Sequence, residues 1–196
     1  MDLNFKKISI IGLGLIGTSI LHAIKAKKED ELVTFAYDIN PEHRKIVLQM
    51  KIATFVCEDI KDSVKEADLV ILAVPVGSMK TVANLIAPFL KTNTVVTDTG
   101  STKGSVVNDV NPYMPDNVCF IPSHPLAGTE YSGPKSGFSS LFKNRYWLIV
   151  YDKQTNETKK LINFFQKLGS FVEIVNTEYH DKILAITSHL PRLIAY

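Results

Sequence analysis

KISIIGLGLIGTSIL, Lys7–Leu21, changes its periodicity half-way along. Lys7–Ile11 reads as a short buried β-strand, and from Leu15 the apolar spacing becomes helical. Between them Gly12, Gly14 and Gly17 fall in the pattern G-x-G-x-x-G. Each glycine has its own reason. Gly12 permits the tight strand-to-helix turn, Gly14 lets a pyrophosphate come close to bare backbone, and Gly17 lets the helix pack tightly on the strand. The N–H groups and positive dipole end of the new helix then face that pyrophosphate. A glycine triplet alone also marks ordinary turns. Here strand, triplet and helix stand in the order a dinucleotide site requires.

Outward from that turn, 196 residues with 45% hydrophobic content supply one good-sized domain, or one domain and part of another. The 22 basic and 20 acidic residues nearly cancel, which gives no reason to expect a nucleic-acid or membrane partner. Cys57 and Cys119 sit far apart in apolar stretches and read as small buried hydrophobes in a reducing compartment. No apolar run is long enough to span a bilayer. The opening MDLNFKK leads straight into the first strand, so no signal peptide and a cytoplasmic location are expected.

The first helix is predicted from Leu15 to about Lys27, and Val33–Tyr37 is the second strand. Asp38 follows it, 21 residues after Gly17. An acid at that distance accepts from a ribose 2′-OH and repels a 2′-phosphate, so NAD is favoured over NADP. The competing reading is an Asp that only opens the turn before Asn40-Pro41, with Asn40 capping a helix and Pro41 in its first position. Arg44 and Lys45 stand nearby and have the charge for a 2′-phosphate, but solvation on a helix is their ordinary use. Further βα units follow: a helix over Asp59–Ala67, a doubly buried strand over Leu69–Val74 stopped by Pro75, and a helix capped by Ser78 with Val82, Ile86 and Phe89 on one face. Strands at Thr94–Thr97 and Cys119–Ile121 come next. After them Gly133–Gly137 reads as loop, and Arg145–Tyr151 is a strand holding Trp147. The helix Asn156–Lys167 stops at Gly169, and Phe171–Val175 is the last strand. The alternation predicts an α/β fold with a doubly wound, mostly parallel Rossmann sheet over residues 1–176. From Thr177 the pattern turns helical, with Tyr179, Ile183, Ile186 and Leu190 on its face. Its apolar end, Leu193, Ile194 and Tyr196, calls for a further helical segment or another subunit.

In open α/β sheets ligands bind beyond the carboxyl ends of the strands. Two polar loops leave such ends, Asp98–Lys103 and Pro122–Glu130, and both are expected to open onto the crevice of the glycine turn. The expected cofactor set is Gly12, Gly14, Leu15, Ile16, Gly17, Asp38, Val74, Pro75, Thr99 and Gly100. His124 is the leading catalytic candidate, since histidine exchanges protons with a hydroxyl near neutral pH; a histidine that only ties down a loop is the alternative. Ser101 has two competing uses, capping a helix or hydrogen-bonding a substrate hydroxyl. His22 and His43 read as surface or packing residues. His180 and His189 give no sharper signal, although His189 stands beside Ser188. With no H-E-x-x-H, metal-spaced histidine pair or nucleophile elbow, no metal is expected.

Five segments together resemble the prephenate dehydrogenase family, with its arogenate and cyclohexadienyl dehydrogenase relatives: IGLGLIGTSI at 11–20, ADLVILAVPV at 67–76, TDTGSTKG at 97–104, PSHPLAGTEYSGP at 122–134 and TSHLPRLIAY at 187–196. The resemblance implies NAD(P)-linked oxidative decarboxylation of prephenate or arogenate in tyrosine biosynthesis. It implies that His124 bonds the ring hydroxyl and takes its proton, and that Ser101 holds the same hydroxyl. Thr129 and Glu130 match residues near the nicotinamide and the substrate side chain, and Ser188 and His189 match the helix closing the substrate pocket. Arg192 stands where many members have a second histidine; pairing with a substrate carboxylate and a neutral change at the pocket edge are both open. The family continues into an all-helical domain that dimerises, of which residues 177–196 would be the first helix, so a homodimer is expected of a full-length protein. A non-catalytic nucleotide-binding module is the second reading, and a dehydrogenase or reductase of a small hydroxy or imino acid the third.

Overall fold

The computed structural model describes residues 4–29, 31–150 and 155–190. Six strands, β1 (Lys7–Ile11), β2 (Val33–Tyr37), β3 (Phe55–Val56), β4 (Leu69–Leu72), β5 (Val95–Asp98) and β6 (Cys119–Ile121), form a parallel sheet in the order β3-β2-β1-β4-β5-β6. The order reverses between β1 and β4, which puts the ligand crevice at their carboxyl ends. The connecting helices are α1 (Leu15–Lys25), α2 (Pro41–Met50), α3 (Ile60–Val64), α4 (Met79–Ile86) and α5 (Lys103–Val110). β4 shows why its sequence is apolar without alternation: Leu69 and Ile71 enter the core on one face of the sheet, Val70 and Leu72 the core on the other.

A second sheet follows, with β7 (Ser123–Pro125), β8 (Tyr146–Val150) and β9 (Phe171–Val175) in the order β7-β8-β9. β7 runs antiparallel to β8, with His124 opposite Leu148, and β9 is parallel to β8. α6 (Asn156–Lys167) packs Leu161, Phe164 and Phe165 into the same core as Trp147 and α1. The Trp147 ring stacks on Phe165 at 3.8 Å between centroids. Thr155 caps α6 and Gly169, at φ +104°, ends it. The loop at Gly133–Gly137 holds one 3-10 turn, Pro134–Ser136, and rests on α1: the Phe138 amide donates to Ser19 Oγ at 3.1 Å. α7 (Thr177–Leu184) then leads into a π-helical turn, Ala185–His189.

Three local expectations are corrected, and two features carried no expectation. Ser123–Pro125 is a strand and not loop; three residues ending in proline are too short for a period of two, and only an edge position tolerates that proline. β3 is two residues long and gave no signal. Ser78 stands at the N-terminus of α4 without a side-chain cap bond. The buried face of α4 is Met79, Ala83 and Ile86, while Phe89 falls in a 3-10 turn and is exposed. On α7, Tyr179, Ile183, Ile186 and Leu190 are 37–58% exposed, and His180 and Leu184 form the buried face. The apolar stripe of that helix points away from the sheet.

The turn after β1 is tight enough to be tested. A Cβ at Gly17 would lie 1.9 Å from the Gly12 carbonyl oxygen, a backbone atom that cannot yield. Gly17→Ala is expected to lower the unfolding free energy by about 2–3 kcal/mol in a urea titration.

Candidate active site

The glycine turn has the geometry that a diphosphate requires. Gly12 takes φ +97°, and a Cβ there would meet the Ala73 carbonyl oxygen at 2.4 Å, so the ends of β1 and β4 touch with Val74 alongside. A Cβ at Gly14 would meet nothing within 4 Å: that position faces open space. α1 begins at Leu15 and Ile16 with no side-chain cap and no acidic residue in its first turn. Its amide N–H groups and dipole therefore suit an anion. Asp38, at the tip of β2, accepts the Leu13 amide at 2.7 Å and the Asn40 amide at 2.8 Å, and faces His43 Nδ1 at 3.2 Å. It braces the glycine turn as well as opening its own. Arg44 is committed elsewhere, donating to the Asp38 carbonyl at 2.8 Å and to Glu58 at 2.6 Å. Asn40 caps α2 through the Glu42 amide, with Pro41 first in the helix, as read from the sequence. Pro75 and Gly100 lie on the loops leaving β4 and β5.

Beside this turn opens a cleft of about 1180 Å³. Ile16, from the first turn of α1, and Thr99, from the loop after β5, line it. Ser101, His124, Thr129, Glu130 and Ser188 line the remainder. Both polar loops thus reach one cavity. The backbone of His189 falls in the π-helical turn, and Arg192 lies outside the described residues.

His124 is held by its neighbour. Ser123 is fully buried: its amide donates to Asp98 Oδ1 at 3.1 Å, its hydroxyl to the Asp98 carbonyl at 2.7 Å, and its Oγ accepts the Trp147 indole N–H at 2.9 Å. The Ser123 carbonyl accepts from Lys103 Nζ at 2.7 Å, and Lys103 also pairs with Asp98. Both charged side chains are fully buried. Burial pushes the Lys103 ammonium below its ordinary range, and Asp98 opposes that shift. Ser101 does not cap α5. The carboxylate of Asp181, from α7, does so: it accepts the Lys103 amide at 2.7 Å and the Gly104 amide at 2.8 Å.

From the sequence His180 carries no sharp signal, and Asp181 is not singled out. His180 Nδ1 faces Asp181 Oδ1 at 2.7 Å, and His180 Nε2 faces His124 Nδ1 at 3.1 Å. A signal existed: His180 and Leu184 share a helical face four residues apart, and a histidine on a buried face needs polar partners. Among the described residues no cluster of three or more His, Cys, Asp and Glu has the arrangement of a metal site.

Comparison with known proteins agrees with this geometry. Residues 21–174 match the family model for the prephenate dehydrogenase nucleotide-binding domain. The chain belongs to the prephenate dehydrogenase family. A cyclohexadienyl dehydrogenase of Zymomonas mobilis is 41% identical over 194 residues, covering 98% of this chain and 66% of that protein. A prephenate dehydrogenase of Lactococcus lactis is 36% identical over 97% of this chain and 52% of its own length. The crystal structure of Aquifex aeolicus prephenate dehydrogenase with hydroxyphenyl propionate and NAD+ superposes with a TM-score of 0.88, at 27% identity, over 97% of this chain and 66% of that one. The chain thus spans about half to two-thirds of the length of these relatives.

The space at Gly14 separates binding from folding. Gly14→Ala should leave the thermal midpoint within about 2 °C of the parent, since the added methyl meets no neighbour. It should weaken NAD about tenfold, about 1.4 kcal/mol, by calorimetric titration.

Proposed function

We propose that this protein catalyses the NAD-dependent oxidative decarboxylation of prephenate or arogenate, giving 4-hydroxyphenylpyruvate or tyrosine. One observation carries the reading: His124 and Ser101 line the same cleft as Ile16, in the first turn of the uncapped helix α1. The cofactor would be held by the turn Gly12–Gly17, by Val74 and Pro75, and by Thr99 and Gly100. When bound, its nicotinamide supplies the acceptor for a hydride.

The residues of the chain then have separate tasks. Ser101 orients the ring hydroxyl, because its side chain is not engaged in capping α5. His124 turns Nδ1 toward His180, so Nε2 is the nitrogen that accepts the hydroxyl proton. The carbon bearing that hydroxyl loses its hydride and becomes a carbonyl. Loss of the ring carboxylate as CO2 sends its electron pair into the ring, which becomes aromatic, and His124 returns the proton to the new phenolate oxygen. The driving force lies in the substrate, and the protein contributes positioning and proton transfer. Thr129, Glu130, Ser188, His189 and Arg192 are assigned to the substrate side chain and carboxylates.

Asp38 is assigned to the adenosine ribose and to NAD over NADP; the commitment of Arg44 to Glu58 supports this. Residues 1–176 form the nucleotide-binding domain, and residues 177–196 open a helical domain that builds a cytoplasmic homodimer. The exposed stripe of Tyr179, Ile183, Ile186 and Leu190 supports a partner on that side. No described helix is long and apolar enough to cross a membrane.

His124→Asn is expected to keep NAD affinity while hydride transfer from prephenate, followed by the absorbance of reduced nicotinamide, slows by about 10²-fold or more. An unchanged rate removes His124 from the reaction. Asp38→Ser should weaken NAD more than NADP in parallel binding titrations, and equal losses would argue against the ribose role.

A further inference from the structure

Asp181 does two things at once. It caps α5 through the Lys103 and Gly104 amides, and it accepts from His180. An oxygen pair surrounded by three donors is an anion that only accepts. Burial works to raise this carboxyl, but the two amides and His180 outweigh it and hold it below the ordinary carboxylate range. His180 must then carry a proton on Nδ1. Its residue is 1% exposed, and burial keeps its imidazole below the ordinary histidine value against the opposing pull of Asp181. The more distant charges facing it are Lys103 from α5, which lowers it, and Asp98 from the end of β5, which raises it. Burial thus favours the neutral ring, whose Nε2 holds a lone pair. That nitrogen lies 3.1 Å from Nδ1 of His124. Two lone pairs do not face each other at hydrogen-bond distance, so His124 carries its proton on Nδ1.

We propose that His180 and Asp181 are positioning residues that lock His124 into the Nδ1–H tautomer, leaving Nε2 to accept the substrate proton. A solvated histidine side chain favours the opposite tautomer, so the lock matters. The same carboxylate ties α7 to the loop that carries Ser101. Order at the proton acceptor thus depends on the docking of α7. The role in turnover rests on the reading of His124 as the proton acceptor; the tautomer itself does not.

The test uses the 196-residue chain with 15N-labelled histidine, of which there are five. Two-bond 15N–1H correlation spectra distinguish a protonated from an unprotonated ring nitrogen, and His124→Asn assigns the His124 signals. In the parent protein, His124 should show Nδ1 protonated and Nε2 unprotonated. In His180→Leu it should revert mainly to Nε2–H. Its apparent pKa should also fall, because the imidazolium loses the chain of acceptors ending in Asp181. His180→Gln, whose side-chain carbonyl accepts the Nδ1 proton, should restore the parent tautomer. An Nε2–H tautomer in the parent, or an unaltered tautomer in His180→Leu, would overturn the proposal, and the parent spectrum decides it even if the leucine variant fails to fold. Kinetics with prephenate and NAD form a second arm. His180→Leu should lower kcat about 10²-fold with the KM for NAD unchanged. The acid limb of its profile should move to lower pH, and His180→Gln should recover most of the rate. A parent chain without turnover would count against the dehydrogenase reading while the tautomer result stands on its own.

Discussion

The buried pair of Lys103 and Asp98 is the constraint on which the site depends. Neither side chain is exposed to solvent, and neither charge is left alone. Asp98 also receives the Gly100 amide at 2.7 Å and the Ser123 amide, and Lys103 also binds the Ser123 carbonyl. Four pieces of chain meet there: the end of β5, the loop carrying Ser101, the first turn of α5, and β7 with His124. Breaking one partner of such a pair leaves an uncompensated charge in the interior, at a cost of about 3–5 kcal/mol, whereas an apolar replacement of both costs far less. The pair is therefore better understood as a device for geometry than for stability. It fixes where two separate loops stand relative to one another.

The sequence and the structure agree where the signal is local. β1, β2, β6, β9 and α6 fall where their periodicity puts them, and the turn at Gly12 has the backbone that only glycine adopts readily. Agreement fails where tertiary context decides. β7 exists because β8 lies beside it, and a three-residue strand closed by Pro125 carries no pattern of its own. On α7 the apolar spacing identified a helix but not which way its stripe faces, because hydrophobicity says only that a surface wants covering, not by what. His180 stood out only as a histidine on a helical face, and its pairing with His124 and that of Asp181 with the start of α5 were not legible, because those partners lie 56 and 78 residues away and no spacing rule links them. Ser101 is instructive in the opposite sense. Of its two uses, capping was the usual one to read from the sequence, and a carboxylate from elsewhere took that one.

Relatives that share only the glycine turn and this sheet do not share its chemistry by that fact, because function resides in the groups that a fold presents. In this chain those groups hang from the second sheet and the last helix as much as from the first sheet. The nucleotide-binding architecture supplies an anion-seeking helix end. The antiparallel edge then brings a histidine into the cleft that this helix end also lines, held by a serine whose every polar atom is occupied by protein.

One of those occupants is the indole of Trp147, the single tryptophan of the chain. It is wholly buried, stacked on Phe165, and bonded to the residue preceding His124. The protein therefore carries a single indole, the reddest-absorbing of its fluorophores beside seven tyrosines, hydrogen-bonded to the strand that bears His124. Any loosening of that strand, by ligand, by solvent or by substitution, would be written directly into the colour and intensity of its emission, with no label attached.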